Sequence, residues 1–427
     1  AVGGSLLPAQ RPPATMAEVG IPENFLANLL LKQAFYLEVF TLPDMTARLK
    51  LNSALVMELI DYLRREKYVE VKGSATLNGS VTAISQNYRY ALTEGGKRRA
   101  AHLFEFDNYV GPVPVTLQDY WRQVEGQSIR SVPIRAEQLH TAFVDLVIAP
   151  ELLQRLGPAL LSGQPIFIYG PPGNGKTAIS LRLGAVLPDL IMVPYALYVE
   201  GNVIRVFDEV THQPVHEEGT SIFKADARWV KCRRPTVLVG GEMTLEMLDL
   251  AFNPILKYYE APLQLKANNG IFIVDDFGRQ RLAPQEMLNR WIIPMENRRD
   301  FLCLHTGQKF AIPFDQLLIF STNLEPEVLM DAAFLRRLRY KIKLDHVNRD
   351  QFQEIFRLVC RKHNLDYKEE VVEYLLRTHY DHQGRPLDAC HPRDLVEQIL
   401  DQARYLDKPP MLTREAIDQA CGTYFVN

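Results

Sequence analysis

Long apolar runs are missing from this chain of 427 residues. The most apolar stretch, around Leu187–Val199, is broken by Pro188, Asp189 and Pro194, so no membrane span is expected. The N-terminus also lacks the charged-then-apolar build of a signal peptide, and a cytoplasmic location is expected. Cysteine is scarce. The five (Cys232, Cys303, Cys360, Cys390 and Cys421) form no C-x-x-C pair, which argues against a disulfide or zinc scaffold and fits a reducing compartment. Neither charge sign dominates: 48 Lys and Arg against 51 Asp and Glu leave a net −3, so no global basic field demands nucleic acid, although a local patch stays open. Repeats and long low-complexity segments are absent too. What remains is 47% hydrophobic, enough for two or three domains with sizeable cores.

The most informative segment is Gly170-Pro-Pro-Gly-Asn-Gly-Lys-Thr177. It fits the phosphate-binding pattern G-x-x-x-x-G-K-[ST], and it follows the apolar run Pro165–Tyr169 and precedes a helical pattern from Ala178. Gly170, Gly173 and Gly175 let the backbone curl so that N–H groups converge on phosphate oxygens, and the next helix adds its positive end. Pro171, Pro172 and Asn174 complete the loop. Lys176 has the reach for β/γ-phosphates, and the Thr177 hydroxyl suits Mg²⁺.

Along the chain, residues 1–22 are rich in Pro, Gly and Ala and read as a loose tail. Residues 23–104 read as helices followed by a hairpin: apolar Phe25–Phe40, a short helix at Asp44–Leu51, and a helix at Ser53–Glu66 capped by Asn52 or Ser53. Then come Tyr68–Val71, a Gly/Ser/Asn loop, Tyr88–Leu92, and a helix opened by Thr93. Three helices and a β-hairpin resemble a winged-helix module. DNA contact through Ser53–Glu66 and the cluster Lys97-Arg98-Arg99 is one reading; protein docking is the other, and it is favoured because Glu58, Asp61 and Glu66 share the exposed face with Arg64 and Arg65. Residues 105–140 read as a linker, 141–345 as an α/β domain around a largely parallel sheet, and 346–427 as a helical unit. The strands expected are Pro165–Tyr169, Thr236–Val239, Ile271–Val274 and Gln316–Ser321; Ala196–Lys231 reads as an inserted hairpin.

Further chemistry follows the loop in order. Gly270-Ile-Phe-Ile-Val-Asp-Asp-Phe277 is an apolar strand ending in two carboxylates: Asp275 fits the Mg²⁺ shell, and Asp276 fits the role of orienting or deprotonating the attacking water. Leu317–Asn323 is another apolar strand, ending in Asn323, which could hold that water. In Asp331–Arg339, Arg337 is the first choice and Arg336 the second for a cation supplied by a neighbouring subunit. Cys390-His-Pro-Arg-Asp-Leu395 puts Pro392 at a helix start and Arg393 in the first turn, able to point back at the nucleotide.

These ordered elements, over about 141–425, resemble the Walker A, Walker B, sensor 1, arginine finger and sensor 2 of an AAA+ ATPase. Leu265–Asp276, Met295–Arg298, Thr306–Pro313 and Pro392-Arg393 resemble more closely the MoxR branch and related bacterial enhancer-binding activators of the helix-2-insert group. The resemblance implies an α/β P-loop AAA+ parallel sheet with helices on both faces and a C-terminal helical lid, here preceded by the winged-helix-like domain. It implies Mg-ATP bound through Lys176, Thr177 and Asp275, with Asp276 replacing the usual Glu, Asn323 as sensor 1, Arg337 as finger and Arg393 as sensor 2. It also implies a homo-oligomeric ring, commonly a hexamer, that remodels a partner protein.

Two features depart from that pattern: Asp276 is one methylene shorter than Glu, and the N-terminal module is not part of the usual MoxR arrangement. A DNA-associated regulator or loader, and a nucleotide-gated scaffold with little turnover, are the alternatives. Asn253–Glu260 is either a substrate-gripping pore loop or ordinary packing, with packing favoured. His212, His216 and His382 share no ligand spacing, so no metal beyond Mg²⁺ is expected.

Overall fold

The computed structural model describes residues 7–74, 88–215 and 225–425, apart from the side chains of Ala332 and Ala333. The Gly/Ser/Asn loop beyond Ser74, the first six residues and His216 lie outside the described residues.

Five parallel strands form the central sheet, in the order Thr236–Val239, Ile271–Val274, Leu317–Thr322, Ile166–Tyr169, Tyr340–Lys343. Alternation along each strand sends its side chains to opposite faces. Ile166, Ile168, Ile271, Ile273, Leu317 and Ile319 join Leu156, Leu160, Ile179 and Leu183 from the helices Pro150–Ser162 and Lys176–Ala185. Phe167, Phe272, Val274, Leu318 and Phe320 face the other way, onto Met287, Leu288 and Trp291 of the helix Pro284–Asn297. The sheet is therefore buried on both faces, which is why its inner strands read as unbroken apolar runs. With the four helices at Arg349–Lys362, Glu369–Leu375, His391–Tyr405 and Arg414–Tyr424 packed as a lid around Phe352, Phe356, Leu395 and Ile417, the chain has the expected α/β layout of a parallel sheet with helices on both faces and a C-terminal helical lid.

The four strands read from sequence lie within a residue of their expected bounds. The fifth was not expected. Tyr340–Lys343 alternates polar and apolar and buries only Ile342, because it is an edge strand.

Beside this core stands a second β layer. Within the segment expected as an inserted hairpin, Ala196–Val199 and Asn202–Arg205 are the strands that pair; the expected runs Val203–Phe207 and Thr211–Val215 do not pair with each other, and Thr211–Val215 adds an isolated bridge, Pro214 to Cys232. The hairpin is extended on one side by Tyr258–Glu260 and Ala251–Asn253 and on the other by Val115–Thr116. The linker expected over 105–140 is thereby corrected. It supplies that edge strand and a helix, Leu117–Gly126, whose Tyr120 and Val124, one turn apart, pack under the insert. Tyr120 Oη accepts a hydrogen bond from Asn268 Nδ2 at 2.8 Å. The expected tail is corrected over its described part: the Ala9 N–H donates to Gln123 Oε1 at 3.0 Å, Asn52 Nδ2 donates to the Pro13 carbonyl at 2.6 Å, and Met16–Val19 is helical.

The N-terminal module contains the helices Glu23–Phe35, Leu42–Leu49 and Ser53–Arg65, then strands Val69–Ser74 and Tyr88–Leu92 and the helix Glu94–Phe104. Asn52 is the N-cap of its third helix, accepting the Leu55 N–H at 3.0 Å. Its core continues into the insert through Ala196 and Val203, and Phe25 meets Tyr198 edge-on at 4.8 Å. Buried Lys32 is held by the Asp107 carboxylate at 2.6 Å. Among the described residues, no helix is long and apolar enough to cross a membrane.

Candidate active site

Three segments meet at the C-terminal ends of neighbouring strands. The first is the 170–177 loop, where the three glycines are needed for two reasons. At Gly170 (φ 135°) a Cβ would land on the Leu344 carbonyl oxygen, and at Gly173 (φ 79°) it would press on Cys390 Sγ at 2.7 Å. Gly175 (φ 80°) has open space around it, so only its left-handed backbone calls for glycine. The helix then starts at Lys176. Its Nζ donates to the Gly170 and Pro171 carbonyls at 2.9 and 2.7 Å. Burial lowers the Lys176 pKa, while the charges of Asp275, Asp276 and Asp388 pull it back up.

The second segment is the acid turn. Asp275 ends its strand with the carboxylate accepting from Thr177 Oγ1 at 2.6 Å. Two hard oxygens thus face each other beside the phosphate loop, a donor pair that fits Mg²⁺ carried with a nucleotide's phosphates. Asp276 sits at φ 48°, a left-handed conformation uncommon for any residue but glycine. The third segment is the end of the Leu317–Thr322 strand. Here Thr322 Oγ1 donates to the Phe277 carbonyl at 2.7 Å and the Phe277 N–H donates to Ser321 O at 2.7 Å, so the asparagine strand and the acid turn are stapled together just before Asn323.

A cleft of about 800 Å³ opens over these segments, lined by Gly173 to Thr177, Asp275, Asp276, Asn323 and Arg393. That volume suits a nucleotide-sized ligand. Gly170 and Pro171 stay outside the lining and act through Lys176; Pro172 lines the cleft rim. Arg393, in the first turn of His391–Tyr405, is aligned by Asp394 Oδ1 at 2.7 Å, and Asp394 accepts in turn from Tyr424 Oη at 2.8 Å. The far wall was missed by the sequence reading. Leu146, Val147 and Ile148 form one side, and Ile355, Leu358 and Val359 of the lid form the other, an apolar slot suited to a flat base. No local motif announces it, since the two halves lie some two hundred positions apart in the chain.

The lid is tied to the loop directly. Asn174 Nδ2 donates to Asp388 Oδ1 at 2.9 Å, Asn174 Oδ1 accepts the Ala389 N–H at 3.1 Å, and the Cys390 N–H donates to Gly173 O at 2.9 Å.

Arg337 does not join this cleft. It is exposed and donates to Glu296 Oε1 at 2.5 Å on the helix Pro284–Asn297; Arg336 is exposed beside it. Asn253–Glu260 belongs to the hairpin Ala251–Glu260 and is clamped to the segment that follows the N-terminal module: Asn108 donates to the carbonyls of Leu256 and Ile255, and Lys257 Nζ to the Glu105 carbonyl at 2.5 Å. Groups of three or more metal-ligating side chains are absent among the described residues.

Residues 348–423 match a family described only as a domain of unknown function, DUF8689. A vesicle-fusing ATPase of Caenorhabditis elegans is 26% identical over 188 residues, which is 39% of this chain and 22% of that protein. Among solved structures, ADP-bound NtrX from Brucella abortus overlaps 68% of this chain and 58% of its own at 14% identity and a TM-score of 0.41. The RuvB Holliday junction branch migration motor of Thermotoga maritima overlaps 69% of this chain and 71% of its own at 14% identity and a TM-score of 0.37. The chain thus spans about a fifth of the vesicle-fusing ATPase and under two thirds of NtrX.

Proposed function

We propose that this chain is an AAA+ ATPase that binds Mg-ATP in the cleft, hydrolyses it between subunits of a ring, and couples the step to remodelling of a partner protein. The observation that carries this reading is the convergence of Lys176, the Thr177–Asp275 pair, Asp276, Asn323 and Arg393 on one cleft beneath a helical lid. In the reaction, a water oxygen attacks the γ-phosphorus in line while the bond to the β-bridging oxygen breaks, giving ADP, inorganic phosphate and a proton. Asp276 orients the water and takes its proton, and Asn323 holds the same water. Lys176 and Arg393 balance charge on the transferred group. Bound through Thr177 and Asp275, magnesium supplies neutralisation of the phosphate oxygens.

Arg337 lies outside its own cleft on an exposed surface, paired with Glu296, and would serve a neighbour as a finger by exchanging that partner; a hexamer of the MoxR-like kind is the assembly we favour. The winged-helix-like module would recruit the partner, in the cytoplasm. Protein docking is preferred to DNA because Arg64 and Lys97 are each occupied by a carboxylate of their own helix, Asp61 at 3.0 Å and Glu94 at 2.8 Å.

Phosphate release by the wild type, lost in Lys176→Ala, tests the chemistry. ATP binding without turnover, even with a partner present, would replace it by a nucleotide-gated scaffold. A size measurement with and without ATP tests the ring. A pull-down with Asp276→Asn, which should hold ATP uncleaved, tests the partner: if it traps nothing beyond wild type, remodelling loses its support.

A further inference from the structure

Gln280 has no part in the cleft lining, yet it makes three hydrogen bonds to the backbone of the acid turn. Its Nε2 donates to the Asp275 carbonyl at 2.8 Å and to the Asp276 carbonyl at 3.2 Å, and its Oε1 accepts the Gly278 N–H at 2.8 Å. The orientation of the amide follows from its partners: reversed, it would set oxygen against two carbonyls and nitrogen against an N–H.

The turn needs such a brace. Asp276 at φ 48° and Gly278 at φ 99° are both left-handed, and only the second is glycine. An aspartate held there is disfavoured against the right-handed alternative. Main-chain bonds reach the turn at three points: the Asp275 N–H donates to Val239 O at 2.8 Å, the Phe277 N–H to Ser321 O at 2.7 Å, and the Arg279 N–H to the Asp276 carbonyl at 2.9 Å. Gln280 adds a donor to the carbonyls of both Asp275 and Asp276 and an acceptor for the Gly278 N–H, so one side chain ties 275, 276 and 278 together. Because the Asp276 side chain is short, its carboxylate reaches the cleft only from where the backbone puts it, so backbone geometry here translates directly into carboxylate position.

We infer that Gln280 is a positioning residue for hydrolysis: its amide holds Asp276 left-handed and so aims a short carboxylate at the attacking water. The inference rests on the ATPase reading above.

The test is steady-state hydrolysis with ATP affinity measured separately, in the full chain, for wild type, Gln280→Met, Asp276→Asn and the double variant. Methionine keeps the length and removes every hydrogen bond. Gln280→Met should lower kcat about tenfold or more, as misplacement of a reacting group does, and leave ATP affinity within about twofold. Added to Asp276→Asn, it should cost less than about twofold further, since it acts only through that carboxylate. A structural role alone would lower affinity and kcat together, or add its full cost in the double variant, and either result overturns the inference. Equal kcat in Gln280→Met and an active wild type also overturns it while leaving the ATPase reading intact. An inactive wild type removes both.

Discussion

The phosphate loop and the acid turn end the two strands that flank Leu317–Thr322 in the same sheet, and both require left-handed backbone, but they reach it differently. At the phosphate loop the shape is held by side chains that are missing: Gly170 and Gly173 lie where a Cβ would meet Leu344 and Cys390. At the acid turn a carboxylate must be present, so glycine is unavailable at Asp276, and the conformation is held by bonds from Gln280 and by the Thr322 staple. A loop that binds with backbone N–H groups can dispense with side chains; a turn that delivers a side chain must fix its backbone from outside.

The largest break is expected at Lys176→Ala, which removes the cation of the loop and should lower phosphate release by about 10²–10³-fold. Gly170→Ala comes next. Its new methyl meets backbone rather than a pliable side chain, so a loss of about 2–4 kcal/mol in denaturant unfolding is expected. Gly175→Ala, strained but uncrowded, should cost only about 1 kcal/mol, and equal losses at the two sites would erase the distinction between crowding and backbone strain. Thr322→Val removes the Phe277 bond and the acceptor for the Leu324 N–H, with an expected loss of about 1–3 kcal/mol by the same measurement.

The smallest effect concerns the lid side of the loop. Burial lowers the pKa of His391 below its ordinary value, against the pull of Asp388 and Asp394. The unfolded chain therefore takes up this proton first. The stability linked to the neutral ring is complete above the unfolded pKa of about 6.5 and is lost as pH falls below it. His391→Asn should flatten the fall of Tm between about pH 7.5 and 5.5, and an unchanged slope would assign the acid sensitivity elsewhere.

The loop was legible because its motif lies within eight consecutive positions, and Asp275, Asp276 and Asn323 were legible because each follows an apolar run. Other parts were not. Tyr340–Lys343 is too short and too polar to read as a strand, and Leu117–Gly126 gains its packing from segments far off in the chain, Ala9 before it and the insert after it. The apolar slot opposite the loop is built from 146–148 and 355–359, two stretches that in isolation are an ordinary turn and an ordinary helix. Gln280 is a polar residue in a turn until its three partners are seen.

By itself, the order of residues determined where phosphate-binding geometry arises and which carboxylates stand near it, because glycine conformations and strand periodicity are local properties. Only the tertiary structure decided which distant segments close the cleft, which cations face it and what steadies Asp276. Those outcomes depend on burial and hydrogen bonds between residues that meet only after the sheet has formed.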